Sequence, residues 1–221
     1  MLTNKNTKKS LYDLRNDTNL GHEKGYSVFK NELGIIHALP CVSNNLAPTS
    51  IIMDTGKTTS GGNIIGAFHT HPDAGSTSTY PMFSDGDINW LFWVATDNQT
   101  PRDKKVYEEF FLTLTVPQGT FAIKIKDWGK FAAFRNNSSI WQSNNIKKGG
   151  SLKLLTDTYS SIGHNGSFIQ MQNALLELFR DFNAGIGLYE ANNDLSGWSE
   201  LELAPAGASN NDEEPTKKPC Q

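Results

Sequence analysis

The chain has 221 residues, of which 37% are apolar and 10% aromatic, so it can bury a hydrophobic core and is not disordered throughout. Its 20 basic and 23 acidic residues give a formal net charge of -3, which argues against binding nucleic acid through a basic surface. No segment approaches the roughly 20 apolar residues of a membrane helix. No apolar stretch follows the lysine-rich start, so we expect neither a signal peptide nor a membrane anchor.

The sequence of the first part of the chain predicts a series of short strands, the last of which ends at His69. Leu11, Leu14 and Thr18 have helical spacing, and a buried-looking strand at 64–68 runs directly into His69. Ser84 is a good N-cap for the helix that follows, with acids in its first turn. The other predicted elements are a hairpin formed by 25–30 and 34–39, a strand at 50–53, a loop at 72–83 and a helix at 85–96.

The second part predicts strands and helices without a strict βαβ rhythm, which favours an α/β fold with a mixed sheet flanked by helices. Residues 128–134 fit either a strand or a short helix. We divide the chain into a polar N-terminal segment (1–20), a core (21–135), a helical and hairpin extension of the same domain (136–203) and a disordered tail (204–221). The predicted elements are strands at 107–116 and 120–126, helices at 152–162 and 168–183, and a hairpin from 185–190 and 198–203.

One group of residues has the chemistry of a metal site. His69 and His71 stand two residues apart at the end of a strand, so both imidazoles project to the same side. Asp87, one turn inside the next helix, can add a carboxylate from across the loop. Two nitrogens and one oxygen leave a fourth tetrahedral position for water, which is the pattern of a catalytic rather than a structural zinc.

The order His69-x-His71-Pro72, followed by Ser84-x-x-Asp87, resembles the signature of the JAMM/MPN zinc metalloproteases. The resemblance covers about residues 23–96. It implies a cytidine-deaminase-like sheet flanked by helices, with His69, His71 and Asp87 as zinc ligands. It further implies that Ser84 stabilises the oxyanion and that a glutamate well upstream acts as general acid and base.

Two choices remain within this resemblance. Glu23 immediately precedes the first predicted strand and is our candidate for the general base, whereas Glu32 falls in the predicted hairpin turn. The twelve residues between His71 and Ser84 exceed the usual spacing of the family. They are either a substrate-facing insertion or a sign that the serine and aspartate are misassigned, in which case Asp85 is the alternative ligand.

The resemblance implies a zinc-dependent hydrolase that cleaves a peptide or isopeptide bond in a protein substrate, for which a ubiquitin-like protein is one option. We expect a cytoplasmic enzyme. Because bacterial relatives include secreted toxins, the other expectation is a part of a larger effector that is exported by a non-classical route. A scaffold with the same fold but no catalysis is the alternative, although such relatives lose the ligands. PHP phosphoesterases also carry H-x-H, but early in the chain and with more histidines than the five present here. Cys41 and Cys220 leave the redox compartment open.

Overall fold

The computed structural model describes residues 5–18, 22–43, 51–53, 62–71, 79–97, 106–142, 151–163, 167–204 and 213–220. No helix in these ranges is both long and apolar enough to cross a membrane. The helices are α1 (Lys5–Asn16), α2 (Asp85–Asp97), α3 (Trp128–Arg135), α4 (Lys153–Ile162) and α5 (Phe168–Asp181). The strands are β1 (Gly25–Lys30), β2 (Ile36–Pro40), β3 (Val42–Ser43), β4 (Ile51–Ile52), β5 (Asn63–Thr70), β6 (Phe111–Val116), β7 (Gly119–Ile125), β8 (Trp141–Gln142), β9 (Ser151–Leu152), β10 (Ile186–Ala191), β11 (Trp198–Glu202) and β12 (Thr216–Pro219).

Eight of the strands form one open sheet in the order β12-β11-β10-β7-β6-β5-β1-β2. Its neighbours are antiparallel except for β5 and β6, which are parallel and are joined by a crossover that contains α2. The two remaining pairs, β3–β4 and β8–β9, are short separate ladders. The predicted α/β class with a mixed sheet flanked by helices is therefore confirmed.

Side chains from alternate positions of the strands fill two cores, one on each face of the sheet. Helix α1 covers one face, where Leu11 and Leu14 pack with Phe68 and Phe111. Helices α2 to α5 cover the other face, which holds the larger core. Successive side chains of a strand face opposite sides of the sheet. In β5, Ala67 therefore lies on the α2 side and Phe68 on the α1 side. The two buried faces explain why residues 64–68 of β5 are apolar throughout.

The structure differs from the sequence prediction at three elements. Residues 107–109 form a single 3-10 turn, so the strand begins only at Phe111. The ambiguous segment at 128–134 is helix α3, because the carboxylate of Asp127 accepts a hydrogen bond from the Lys130 backbone N–H and caps its first turn. The strand at 50–53 is the two-residue β4. Residues 72–78 of the predicted loop lie outside the described residues.

The prediction of a disordered tail is wrong for residues 213–220. Residues 216–219 form β12, which pairs with β11 along the edge of the sheet, and Lys217 Nζ lies 2.8 Å from Glu190 Oε2. A polar, lysine-rich segment predicts disorder, but lysine and proline are also typical of edge strands, where they prevent pairing with other chains. Residues 205–212 of the predicted tail lie outside the described residues. The hairpin of the predicted extension, β10 and β11, belongs to the same sheet as the core.

Candidate metal centre

The two histidines lie where β5 ends, between its neighbours β1 and β6. His69 is paired with Gly25 on one side and with Leu114 on the other, and both histidines are buried. Because successive strand residues face opposite sides, His69 and His71 project toward α2 while Thr70 projects toward α1. The Thr70 hydroxyl accepts a hydrogen bond of 3.0 Å from the Lys24 backbone N–H.

Asp87 reaches the histidines from the first turn of α2, and Ser84 fixes its carboxylate. The Ser84 backbone N–H and hydroxyl both donate to Asp87 Oδ2, at 2.7 and 2.8 Å. In return, the Asp87 backbone N–H donates to Ser84 Oγ at 3.2 Å. This is the reciprocal arrangement of a capping box, so the bonds that begin the helix also orient the carboxylate.

One donor atom from each of three residues lies within 4.8 Å of the other two. His69 Nε2 lies 3.2 Å from His71 Nε2 and 3.1 Å from Asp87 Oδ1, while His71 Nε2 lies 3.6 Å from the other carboxylate oxygen, Asp87 Oδ2. A tetrahedral zinc bound at about 2.0–2.1 Å holds its ligand atoms about 3.3 Å apart, so these separations suit such an ion. The buried group of His69, His71 and Asp87 could therefore hold a metal ion.

The second nitrogen of each imidazole bonds to a backbone carbonyl. His69 Nδ1 lies 3.0 Å from the Thr113 oxygen, and His71 Nδ1 lies 2.7 Å from the Tyr80 oxygen. Each ring must donate from Nδ1 to make this bond, so in the neutral imidazole the lone pair lies on Nε2, the nitrogen that faces the cluster. Such carbonyl partners fix the tautomer and the ring direction of metal-binding histidines.

The three ionisable groups of the cluster have different pKa shifts. Burial alone would lower the pKa of His69, but the charge and hydrogen bond of Asp87 raise it above its usual value. Burial, together with the charge of His69, lowers the pKa of His71 to about 4. Burial alone would raise the pKa of Asp87, but His69, His71 and the Ser84 backbone N–H hold it well below its usual range. The cluster therefore consists of an ionised Asp87 paired with His69 beside a neutral His71.

The structure also separates the alternatives that the sequence left open. Glu23 is buried, and its Oε1 lies 3.9 Å from His71 Nε2, next to the three donor atoms but not among them. Glu32 lies instead in the exposed turn of the β1–β2 hairpin. Among the described residues, the group that could hold a metal includes Asp87 and not Asp85.

Sequence reasoning misses several residues at the site. The carbonyls of Thr113 and Tyr80 bind the histidines, and Tyr159 of α4 donates a hydrogen bond of 3.2 Å to the Phe83 carbonyl. Every residue carries a carbonyl, so no sequence pattern could have indicated the first two. Of the other histidines, His37 stacks on a phenylalanine of β1, and His164 lies outside the described residues.

Comparison of the sequence with models of known protein families and with curated proteins gives no match. Cys41 and Cys220 are not joined by a disulfide, and neither belongs to the group that could hold a metal ion.

Proposed function

We propose that the protein is a zinc-dependent hydrolase of the JAMM/MPN kind that cleaves a peptide or isopeptide bond. The observation that carries this proposal is the convergence of two histidine nitrogens and one carboxylate oxygen beside a buried glutamate. Two imidazoles with one carboxylate are the donor set of zinc hydrolases that keep a coordination position open for water. The order of these residues along the chain, with Glu23 upstream and Ser84 beside Asp87, supports the family resemblance.

His69, His71 and Asp87 would hold a zinc ion, which would supply Lewis acidity and make water acidic near neutral pH. Glu23 accepts the proton of the attacking water on its Oε1 and returns it to the departing amine, since it faces the cluster without belonging to the donor set. The low pKa of Asp87 keeps it ionised at neutral pH, so it remains a ligand rather than a competing proton donor.

Ser84 has two roles in this proposal. In the structure its hydroxyl donates to Asp87 Oδ2, and its backbone N–H donates to the same oxygen. When the hydroxyl turns toward the carbonyl oxygen of a substrate, the backbone N–H still holds the carboxylate. The hydroxyl then donates to the oxyanion, an interaction whose loss costs about 10²–10³ in rate in other hydrolases.

The metal content of the purified protein tests the proposal. We expect about one zinc per chain by plasma mass spectrometry, and its loss in both His71→Ala and Asp87→Ala, because each removes one of three ligands. Asp85→Ala is the matched control for Asp87→Ala, since it removes an acid from the same helical turn, and we expect it to keep its zinc.

The zinc-loaded protein is then screened against peptide and isopeptide substrates. Cleavage that is lost in the zinc-free variants supports the hydrolase. A folded wild-type protein that takes up no zinc, even when zinc is supplied, contradicts the hydrolase and makes the chain a scaffold or binding domain. Zinc uptake with cleavage of phosphate esters instead of peptides would move the reaction to another class.

A further inference from the structure

The segment at residues 79–84, between the metal-binding histidines and α2, contacts all three members of the metal-binding group. The Tyr80 carbonyl binds His71 Nδ1, and the ring of Phe83 lies 6.3 Å from the ring of His69. Ser84 holds the carboxylate of Asp87. The geometry of the cluster therefore depends on where this segment lies.

Helix α4 holds this segment at two points. The Tyr159 hydroxyl donates to the Phe83 carbonyl at 3.2 Å, and both residues are fully buried. The ring of Tyr159 also contacts the ring of Tyr80, with centroids 5.2 Å apart. The hydroxyl of Tyr80 lies 3.1 Å from the hydroxyl of Ser160. The α4 contacts thus lie directly behind the residues that orient His71 and Asp87.

We propose that Tyr159 is a positioning residue of the metal centre, which acts by fixing the Phe83 carbonyl and with it the segment 79–84. This inference rests on the metal site of the proposed function. Because the Phe83 carbonyl is buried, water cannot replace the Tyr159 hydroxyl as its hydrogen-bond donor. Removal of the hydroxyl therefore leaves the carbonyl without this donor and lets the segment move. Ser84 follows Phe83 directly, and displacement of Ser84 misaligns the carboxylate of Asp87.

Tyr159→Phe removes the hydroxyl and keeps the ring, so the packing of α4 is retained. Tyr189→Phe is the matched control, because Tyr189 is also a buried tyrosine but lies in the core on the α1 face of the sheet. The first measurement is amide hydrogen exchange of the metal-free proteins at Ser84, whose N–H donates to Asp87 Oδ2. We expect exchange there to be about tenfold faster in Tyr159→Phe and unchanged in Tyr189→Phe.

The second measurement is zinc affinity by competition with a chelator. We expect the Kd of Tyr159→Phe to rise about tenfold, the size of effect found for residues behind metal ligands. The ligand-field absorption of the Co²⁺-loaded protein changes with it, since the carboxylate oxygen moves. Ser160→Ala removes the second, exposed anchor and raises the Kd by about twofold to threefold.

The two measurements separate the possible failures. Exchange at Ser84 and zinc affinity equal to wild type in Tyr159→Phe would overturn the positioning role, as would equal losses in Tyr189→Phe. If the wild-type protein binds no zinc, the proposed function fails, and the exchange comparison at Ser84 still decides whether Tyr159 holds the segment.

Discussion

Glu23 reaches the cluster because its neighbour is tied to the end of β5. The Lys24 backbone N–H donates to the Thr70 hydroxyl, and the Thr70 N–H donates to the Lys24 carbonyl at 2.9 Å. The two faces of β5 therefore contribute to the site in different ways. His69 and His71 supply nitrogens on the α2 side, while Thr70, between them, anchors the glutamate from the α1 side.

The proposed role of Glu23 is tested by Glu23→Gln, which keeps the size of the side chain and removes the base. We expect cleavage to fall by about 10²–10⁴ because no group is left to take the proton. Zinc content should stay at the wild-type value, since Glu23 is not among the converging donor atoms. Glu32→Gln in the exposed hairpin turn is the control and should change neither quantity. Near-normal turnover in Glu23→Gln would contradict this mechanism.

Zinc affinity should depend on pH through His69. The raised pKa of His69 means that the metal-free site keeps a proton on this ring at a higher pH than an ordinary histidine does. Zinc must displace that proton, so the affinity is lost as pH falls through the pKa of His69 and is fully present above it. We expect a Kd that rises by up to about tenfold per pH unit as the pH falls below the raised pKa of His69. A Kd that is independent of pH over this range would mean that His69 is not a ligand.

The side chains of the site could be predicted from the sequence, but their surroundings could not. Two histidines at alternate positions of a strand end face the same side, and the acid in the first turn of the next helix supplies a third donor atom. The carbonyl partners of the histidines carry no sequence signal, since each residue offers the same group. Tyr159 donates to a carbonyl 76 positions earlier in the chain, so its role depends on how α4 packs.

At the scale of elements, the hairpin of β1 and β2 is predictable because its residues alternate, and β5 because its residues 64–68 are apolar throughout. The sequence of helix α3 is ambiguous because the helix depends on residues outside it. Asp127 caps its first turn, and the turn before β10 fixes where it begins. Gly185 accepts hydrogen bonds from the backbone N–H groups of Lys126 and Asp127, at 2.8 and 3.0 Å. The end of β7 is thereby joined to the start of β10 where α3 begins.

Gly185 should tolerate no side chain. Its φ of +68° is strained for other residues, and a Cβ there would lie 2.4 Å from the Asp127 carbonyl oxygen. We expect Gly185→Ala to lower the free energy of unfolding by about 3 kcal/mol, from backbone strain plus displacement of this junction. Gly34→Ala is the control, with a φ of +76° but nothing within 4 Å, and should cost about 1 kcal/mol. Urea unfolding measures both, and equal losses would show that the contact with Asp127 is unimportant.

At the scale of the whole molecule, the sheet separates the cluster from the C-terminal edge. The cluster lies at β5 and β1, whereas β12 is separated from β5 by four strands, β6, β7, β10 and β11. At about 4.8 Å per strand, this is about 24 Å. We therefore expect the pairing of β12 to stabilise the fold without changing the geometry of the cluster. Helix α4, which contacts the segment 79–84 beside the cluster, is expected to affect both.

Removal of residues 213–221 tests this separation. The deletion takes away the ladder between β11 and β12, the ion pair of Lys217 with Glu190, and the bond from Asn173 Nδ2 to the Glu213 carbonyl. We expect the free energy of unfolding to fall by about 2–4 kcal/mol, mostly from backbone hydrogen bonds. Lys217→Ala, which removes only an exposed ion pair, should cost under about 1 kcal/mol. Zinc affinity should stay at the wild-type value in both variants, because neither change reaches β5 or α2. A deletion that weakens zinc binding while the protein stays folded would show that the sheet transmits strain from its edge to the cluster.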